Sequence, residues 1–160
     1  MTRVVAHGMV ALDEAALERD ALDVGMTELS ALFSAGGRVR SALFVASADA
    51  GSRTALRFWS EAQRTGVALA NPELFPWCLA NAPCAAIARR YGITGPNGTW
   101  LGDDALAAAW SAACAHLTKG SVAQAFVVAL AFGNASGTPK LEAWRLDASP
   151  GDAPPVPSGR

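Results

Sequence analysis

Few residues in this chain have side chains suited to chemistry. The histidines are His7 and His116, the cysteines are Cys78, Cys84 and Cys114, and two aspartates stand together at Asp103 and Asp104. An adjacent carboxylate pair suits general acid–base work when one member keeps its proton and the other does not. The same pair suits a helix start, with one side chain as N-cap and the other beside the positive end of the helix dipole. Three cysteines at these spacings match neither a disulfide framework nor a zinc site, so buried thiols are the expectation. Cys114 and His116 lie two apart in a predicted helix and point to different faces, which excludes a nucleophile–base pair. His116 is placed to cap the carbonyls of a helix end, and His7 falls in a predicted strand. The turn Gly95-Pro96-Asn97-Gly98 lacks the glycine pattern of a phosphate loop. No metal and no cofactor are expected.

The elements that must position these residues follow from apolar spacing. Val4–Val10 reads as a strand, and Leu22, Met26, Leu29, Leu32 and Phe33 recur at helical spacing up to a Gly36-Gly37 stop. Ala42–Ala46 is a continuous apolar run that suits a strand covered on both faces. Ser52 is placed to cap a helix through Gln63, with Leu56, Trp59 and Ala62 on one face. A proline-punctuated apolar loop, Asn71–Ala80, leads to Asn81 as N-cap of a short helix ending near Gly92. A strand is predicted at Thr99–Leu101, a helix at Asp104–Leu117, a buried strand at Val122–Phe132 and a last, edge strand at Lys140–Leu146. The alternation predicts one α/β layered domain over 1–146 with about five strands, and a disordered proline- and glycine-rich tail over 147–160.

Composition narrows the function classes. The 160 residues are 51% hydrophobic and 17% charged, with 13 basic and 14 acidic side chains. A net charge of −1 with no basic stripe argues against nucleic-acid and anionic-membrane partners. No apolar segment approaches the roughly 20 residues that cross a bilayer, and the N-terminus lacks a signal-peptide pattern, so a cytoplasmic protein is expected. A mean hydropathy of +0.22 is high for a lone domain of this size, which points to a covered surface. The Asp104–Leu117 helix is small and apolar on almost every face. A single sheet covers only one side of it.

The segment Asn81-Ala-Pro-Cys-Ala-Ala-Ile-Ala-Arg-Arg-Tyr-Gly-Ile-Thr-Gly95-Pro96-Asn97-Gly resembles the N-terminal half of β-ketoacyl synthases, whose Asn-Ala-small helix ends in Gly-Leu-x-Gly-Pro-Asn. The resemblance extends over roughly 3–146, through Leu43–Ala46 with Ser-Ala-Asp-Ala-Gly, the alanine-rich helix with Lys119-Gly120, and Ala125–Ala131. It implies a half-thiolase-like fold: a mixed sheet of about five strands with helices on both faces. In that family a nucleophilic cysteine opens the central helix. Here Asp103 or Asp104 stands at that position, and the family's two histidines belong to a C-terminal half not found in this sequence. The resemblance therefore implies no self-sufficient condensing enzyme.

Cysteine-less relatives of this kind are chain-length factors, which pair with a catalytic ketosynthase in polyketide, aryl-polyene or fatty-acid-like biosynthesis. By position, Leu74, Phe75, Trp77 and Cys78 would cap the acyl tunnel or line the interface, with Trp59 and Trp100 as more distant members. The implied partner is a catalytic ketosynthase in a heterodimer, or a second copy in a homodimer. Two other readings stand beside it. One is a small decarboxylase or hydratase of acyl thioesters using Asp103 and Asp104. The other is a homodimeric module for an acidic acyl-carrier protein, with Arg38/Arg40 or Arg89/Arg90 as its basic patch.

Overall fold

A computed structural model describes residues 2–34, 39–132, 138–148 and 156. Its centre is a five-stranded sheet in the order β1-β5-β4-β2-β3, with β1 at Thr2–Ala11, β2 at Ser41–Ser47, β3 at Asn97–Leu101, β4 at Gln124–Ala131 and β5 at Lys140–Ala148. β2 pairs in parallel with β3 and β4, while β5 runs antiparallel between β4 and β1. The central strands are the most apolar because they are covered on both sides. All seven residues of β2 are buried.

Alternation along β2 and β4 divides the core into two layers. Leu43, Val45, Phe126 and Val128 face helices α1 (Glu18–Glu28), α2 (Ser30–Ser34) and α4 (Ala82–Tyr91). Ala42, Phe44, Ala46, Ala125 and Val127 face one helix, α5 (Ala105–Thr118). Small residues on that face let α5 approach closely through Ala109 and Ala113, both fully buried. The remaining helix, α3 (Ser52–Thr65), leaves the end of β2 and packs on two 3-10 turns, Val67–Leu69 and Phe75–Cys78.

Several sequence expectations need correction. The helix expected through Phe33 breaks at Leu29 into α1 and α2, and its Gly36-Gly37 stop lies outside the described residues. β5 is an interior strand, because β1 returns to the sheet beside it and takes the edge. It also continues to Ala148, two residues into the predicted tail, whose later residues except Val156 lie outside the described set. Leu56 and Trp59 are exposed, and of the expected apolar face only Ala62 is buried. The predicted caps hold by position alone: Asn81 and Asp104 are N-cap residues, yet neither side chain makes a capping hydrogen bond. Ser52 is the first residue of α3, and Gly51 occupies the N-cap with φ +83.

The Gly95-Pro96-Asn97 turn joins α4 to β3 under a tight constraint. A Cβ at Gly95 would lie 2.2 Å from the Ser41 carbonyl oxygen. The Leu43 N–H donates to the Pro96 carbonyl, and Asn97 Nδ2 donates to the Gly95 carbonyl. Gly95→Ala is therefore expected to lower stability by about 2 kcal/mol, read from the urea midpoint, by forcing this turn off β2.

Candidate functional site

Open α/β sheets place ligands beyond the carboxyl ends of their parallel strands. Here that edge gathers the ends of β2, β3 and β4 and the N-termini of α3 and α5. After β2 the chain turns sharply, with Ser47 Oγ accepting the N–H groups of Asp49 and Ala50. Asp49 is buried, and its two carboxylate oxygens each lie 3.2 Å from the Phe132 N–H at the end of β4. Arg53 donates to the Phe132, Glu14 and Ala16 carbonyls. The two side chains hold both backbone groups of Phe132.

Glu18 completes this knot. Its side chain is fully buried and accepts the N–H groups of Gly51 and Arg53, each at 3.0 Å. Gly51 has no side chain to serve as a cap, so a carboxylate from α1 does that work for α3. A Cβ at Gly51 would meet the Cys78 carbonyl at 2.8 Å, so the loop over the cap excludes any larger residue. Burial pushes the Glu18 carboxyl above its ordinary value of 4.5, against the backbone donors, which favour the charged form. The carboxylates at the strand ends thus hold backbone in place.

The mouth of α5 is different. Asp103 and Asp104 are both exposed, and among the described residues neither carboxylate has a hydrogen-bond or ion-pair partner. Only the backbone anchors this start, through Gly102 N–H to the Ser47 carbonyl at 3.2 Å. No thiol lies there. Cys84 is buried beneath β3, with its Sγ 3.7 Å from the Gly98 carbonyl, and Cys114 lies far along α5. Burial raises the pKa of Cys78, Cys84 and Cys114 alike, and the Glu18 charge adds to the effect at Cys78. All three are poorer thiolates than a free cysteine.

The histidines are structural. His116 Nδ1 lies 2.8 Å from Ser121 Oγ, which donates to the His116 carbonyl and closes the end of α5. His7 stacks on Trp144 and lies 2.9 Å from Glu142 Oε1, on the β1 edge. Among the described residues no group of three or more His, Cys, Asp or Glu side chains could hold a metal ion. No helix among them is long and apolar enough to cross a membrane.

The apolar loop forms a compact unit over the α3 cap. Leu74 is buried, Trp77 packs on the core, and Phe75 stands 58% exposed with its ring 5.8 Å from that of Phe58. Cys78 Sγ donates to the Leu74 carbonyl. Trp77 and Arg19 border both an open groove of about 570 Å³ between α1 and α4 and a smaller cavity of about 200 Å³ beside Thr54 and Leu74. Trp59 and Trp100 stand apart from this unit. Trp59 projects outward from α3, and Trp100 lies in the α5 layer, edge-on to Phe44 at 5.4 Å. Of the basic pairs, Arg38 lies outside the described residues, Arg40 and Arg89 are exposed, and Arg90 is bound to Asp23 at 2.5 Å.

Sequence reasoning missed Glu18, Asp49 and Arg53. Asp49 had a local signal, a buried-strand run ending in Ser-Ala-Asp-Ala-Gly. Glu18 had none, since its partners lie 33 and 35 residues away.

No protein-family model matches the sequence, and no curated protein matches it. Solved structures do. A chain from the complex of the ketosynthase ApeO with its chain length factor ApeC, from Xenorhabdus doucetiae, aligns with a TM-score of 0.66 at 11% identity, covering 92% of this chain and 79% of that one. The fold is thiolase-like and ketosynthase-like. The ishigamide ketosynthase/chain length factor aligns with a TM-score of 0.57 at 17% identity, over 72% of this chain and 38% of that one. A type II polyketide synthase complex of acyl-carrier protein and ketosynthase, AntDE:AntF, gives 0.59 at 13% identity, over 80% and 43%. The chain spans less than half the length of these last two.

The buried cap generates a prediction. Unfolded Glu18 titrates near 4.5, whereas the native group keeps its proton to higher pH. Its contribution to stability is whole below pH 4.5 and is lost as pH rises through the raised native value. Urea midpoints measured across that interval are expected to fall with pH, and Glu18→Gln removes this part of the slope. Glu18→Ala orphans the α3 donors and is expected to cost about 3 kcal/mol.

Proposed function

We propose that this chain is a ketosynthase-like subunit without condensing activity of its own, which pairs with a catalytic β-ketoacyl synthase and shapes its acyl tunnel as a chain-length factor does. The observation that carries this reading is the mouth of α5. Acyl transfer to the protein needs a thiolate at that helix N-terminus, and two exposed aspartates stand there instead. A carboxylate there forms no thioester. The alternative of independent thioester decarboxylation or hydration gains no support, because neither aspartate lines any of the three cavities described for the chain.

Two further features favour a paired subunit. β3 is an edge strand of five residues, with Leu101 exposed at its end. An open edge of this kind can extend a sheet into a neighbouring subunit. On α5, which packs against β3, Ala107, Ser111 and Ala115 form an uncovered outer side, small enough for close contact. A catalytic ketosynthase is the proposed occupant, and the polyketide, aryl-polyene and fatty-acid-like pathways are its expected settings.

In this reading the Leu74–Cys78 unit faces the chain growing on the partner. Steric exclusion sets the length: once the tunnel end is filled, another elongation step forces overlap with packed side chains. Phe75 is the better probe because it is exposed, whereas truncating Trp77 also removes core packing. Co-expression with a catalytic ketosynthase is expected to yield a heterodimer on size-exclusion chromatography, and separate species would overturn the pairing. Within a working complex, Phe75→Ala is expected to give longer products at similar turnover. Unchanged length removes the tunnel role while leaving the pairing intact.

A further inference from the structure

The end of the sheet where β2 and β4 begin carries a row of polar side chains, and the fold satisfies only part of it. Register places Ser41, Gln124 and Asp147 side by side on β2, β4 and β5, with Arg3 opposite Asp147 on β1. Arg145 stands directly opposite Phe126, one step further in. Directly paired residues share a face of the sheet, so this group belongs to the side that Phe126 faces. Ser41 and Gln124 are buried and linked: Gln124 Nε2 donates to Ser41 Oγ at 2.7 Å, and that hydroxyl donates to the Val39 carbonyl at 3.0 Å. Arg145 differs. Its Nε and Nη1 are buried, and among the described residues they have no hydrogen-bond partner. It forms no ion pair with Asp147, whose Oδ1 is buried and unpartnered as well. Guanidinium N–H groups buried without acceptors cost stability.

A cavity of about 510 Å³ opens against this row. Ser41 and Gln124 supply polar lining, and Tyr91, Phe33 and Phe126 form a continuous aromatic stack along it, with ring centroids 4.6 and 4.9 Å apart. Arg40 lines the cavity too, exposed and, among the described residues, without a carboxylate partner. No acidic side chain among the described residues lines it. Asp147 faces Arg3 across the β1–β5 pair, so their charges offset. Arg40 and Arg145 remain as uncompensated cations. Arg145 sits across from a residue of the cavity wall, and its charge acts through the protein interior, where screening is weak.

We propose that this cavity binds a small carboxylic acid with an apolar body. The carboxylate meets Arg40 and the Gln124 amide, and the body lies along the Phe33–Phe126–Tyr91 wall. Arg145 is a positioning residue: it favours the anion by its charge from behind Phe126, and the bound anion offsets the cost of its unmet N–H groups. Inorganic phosphate fits less well, because it leaves the aromatic wall without an apolar partner. The cavity is at the opposite end of the parallel strands from the mouth of α5, so the proposal does not rest on the ketosynthase pairing.

The probe is 4-phenylbutyrate, titrated into the full chain by calorimetry beside 4-phenylbutanol and inorganic phosphate. Saturable binding of the carboxylate is expected, about tenfold tighter than that of the alcohol or of phosphate, and about tenfold weaker in Arg40→Gln. Amide spectra locate it through shifts of Gly92, Thr94 and the Gln124 side chain. Arg145→Met is expected to be at least as stable as the unaltered chain without ligand, and to lose most of the Tm gain that the carboxylate confers. The proposal is overturned by absent saturable binding, by equal affinity for the alcohol, by tighter binding of phosphate, or by unchanged affinity in Arg40→Gln. An Arg145→Met protein that is less stable, or that keeps the full Tm gain, overturns the part given to Arg145.

Discussion

A buried carboxylate sets the geometry at one end of this sheet. Glu18, at the start of α1, receives the N–H groups that open α3, two elements far apart in sequence. Without it, the first turn of α3 would carry unsatisfied donors in a dry interior, at a cost comparable to the whole net worth of several hydrogen bonds. Arg53, in that same first turn, fixes the carbonyls of Glu14, Ala16 and Phe132 through its side chain, and Asp49 takes the Phe132 N–H. Together these three side chains join α1, α3 and the ends of β2 and β4, and the apolar loop around Trp77 rests on this base.

That base bears on function through what it uses up. The edge of an α/β sheet where catalytic groups usually converge holds two carboxylates and a guanidinium here, and all three are committed to backbone. The other acids at that edge, Asp103 and Asp104, stand exposed at the mouth of α5. Meanwhile the uncovered side of α5 and the open edge of β3 are surfaces. Their composition suits contact with other chains.

Much of the fold was legible because its signals are local. The unbroken apolar runs of β2 and β4 identify strands covered on both faces, and the motif from Asn81 to Asn97 marks a helix, its left-handed glycine end at Gly92 and the turn into β3. The alanine-rich α5 announced close packing on one side and an uncovered surface on the other. Other features depended on which elements meet. Leu56 and Trp59 were expected on one apolar face with Ala62, but α3 turns Ala62 inward with Thr54 and leaves the two larger side chains outside. Likewise β5 looked like an edge strand until β1, from the opposite end of the chain, took that place.

By itself the sequence determined the strand–helix alternation, the layered class, the absence of a cysteine at the mouth of α5 and the apolar loop, because each follows from residue type and near-neighbour spacing. Tertiary structure alone decided the strand order, the role of Glu18 and the separation of Trp59 and Trp100 from the loop they were grouped with. The reason is physical. A buried polar group takes whatever donor the fold brings within about 3 Å, and such distances between remote residues are absent from local sequence spacing.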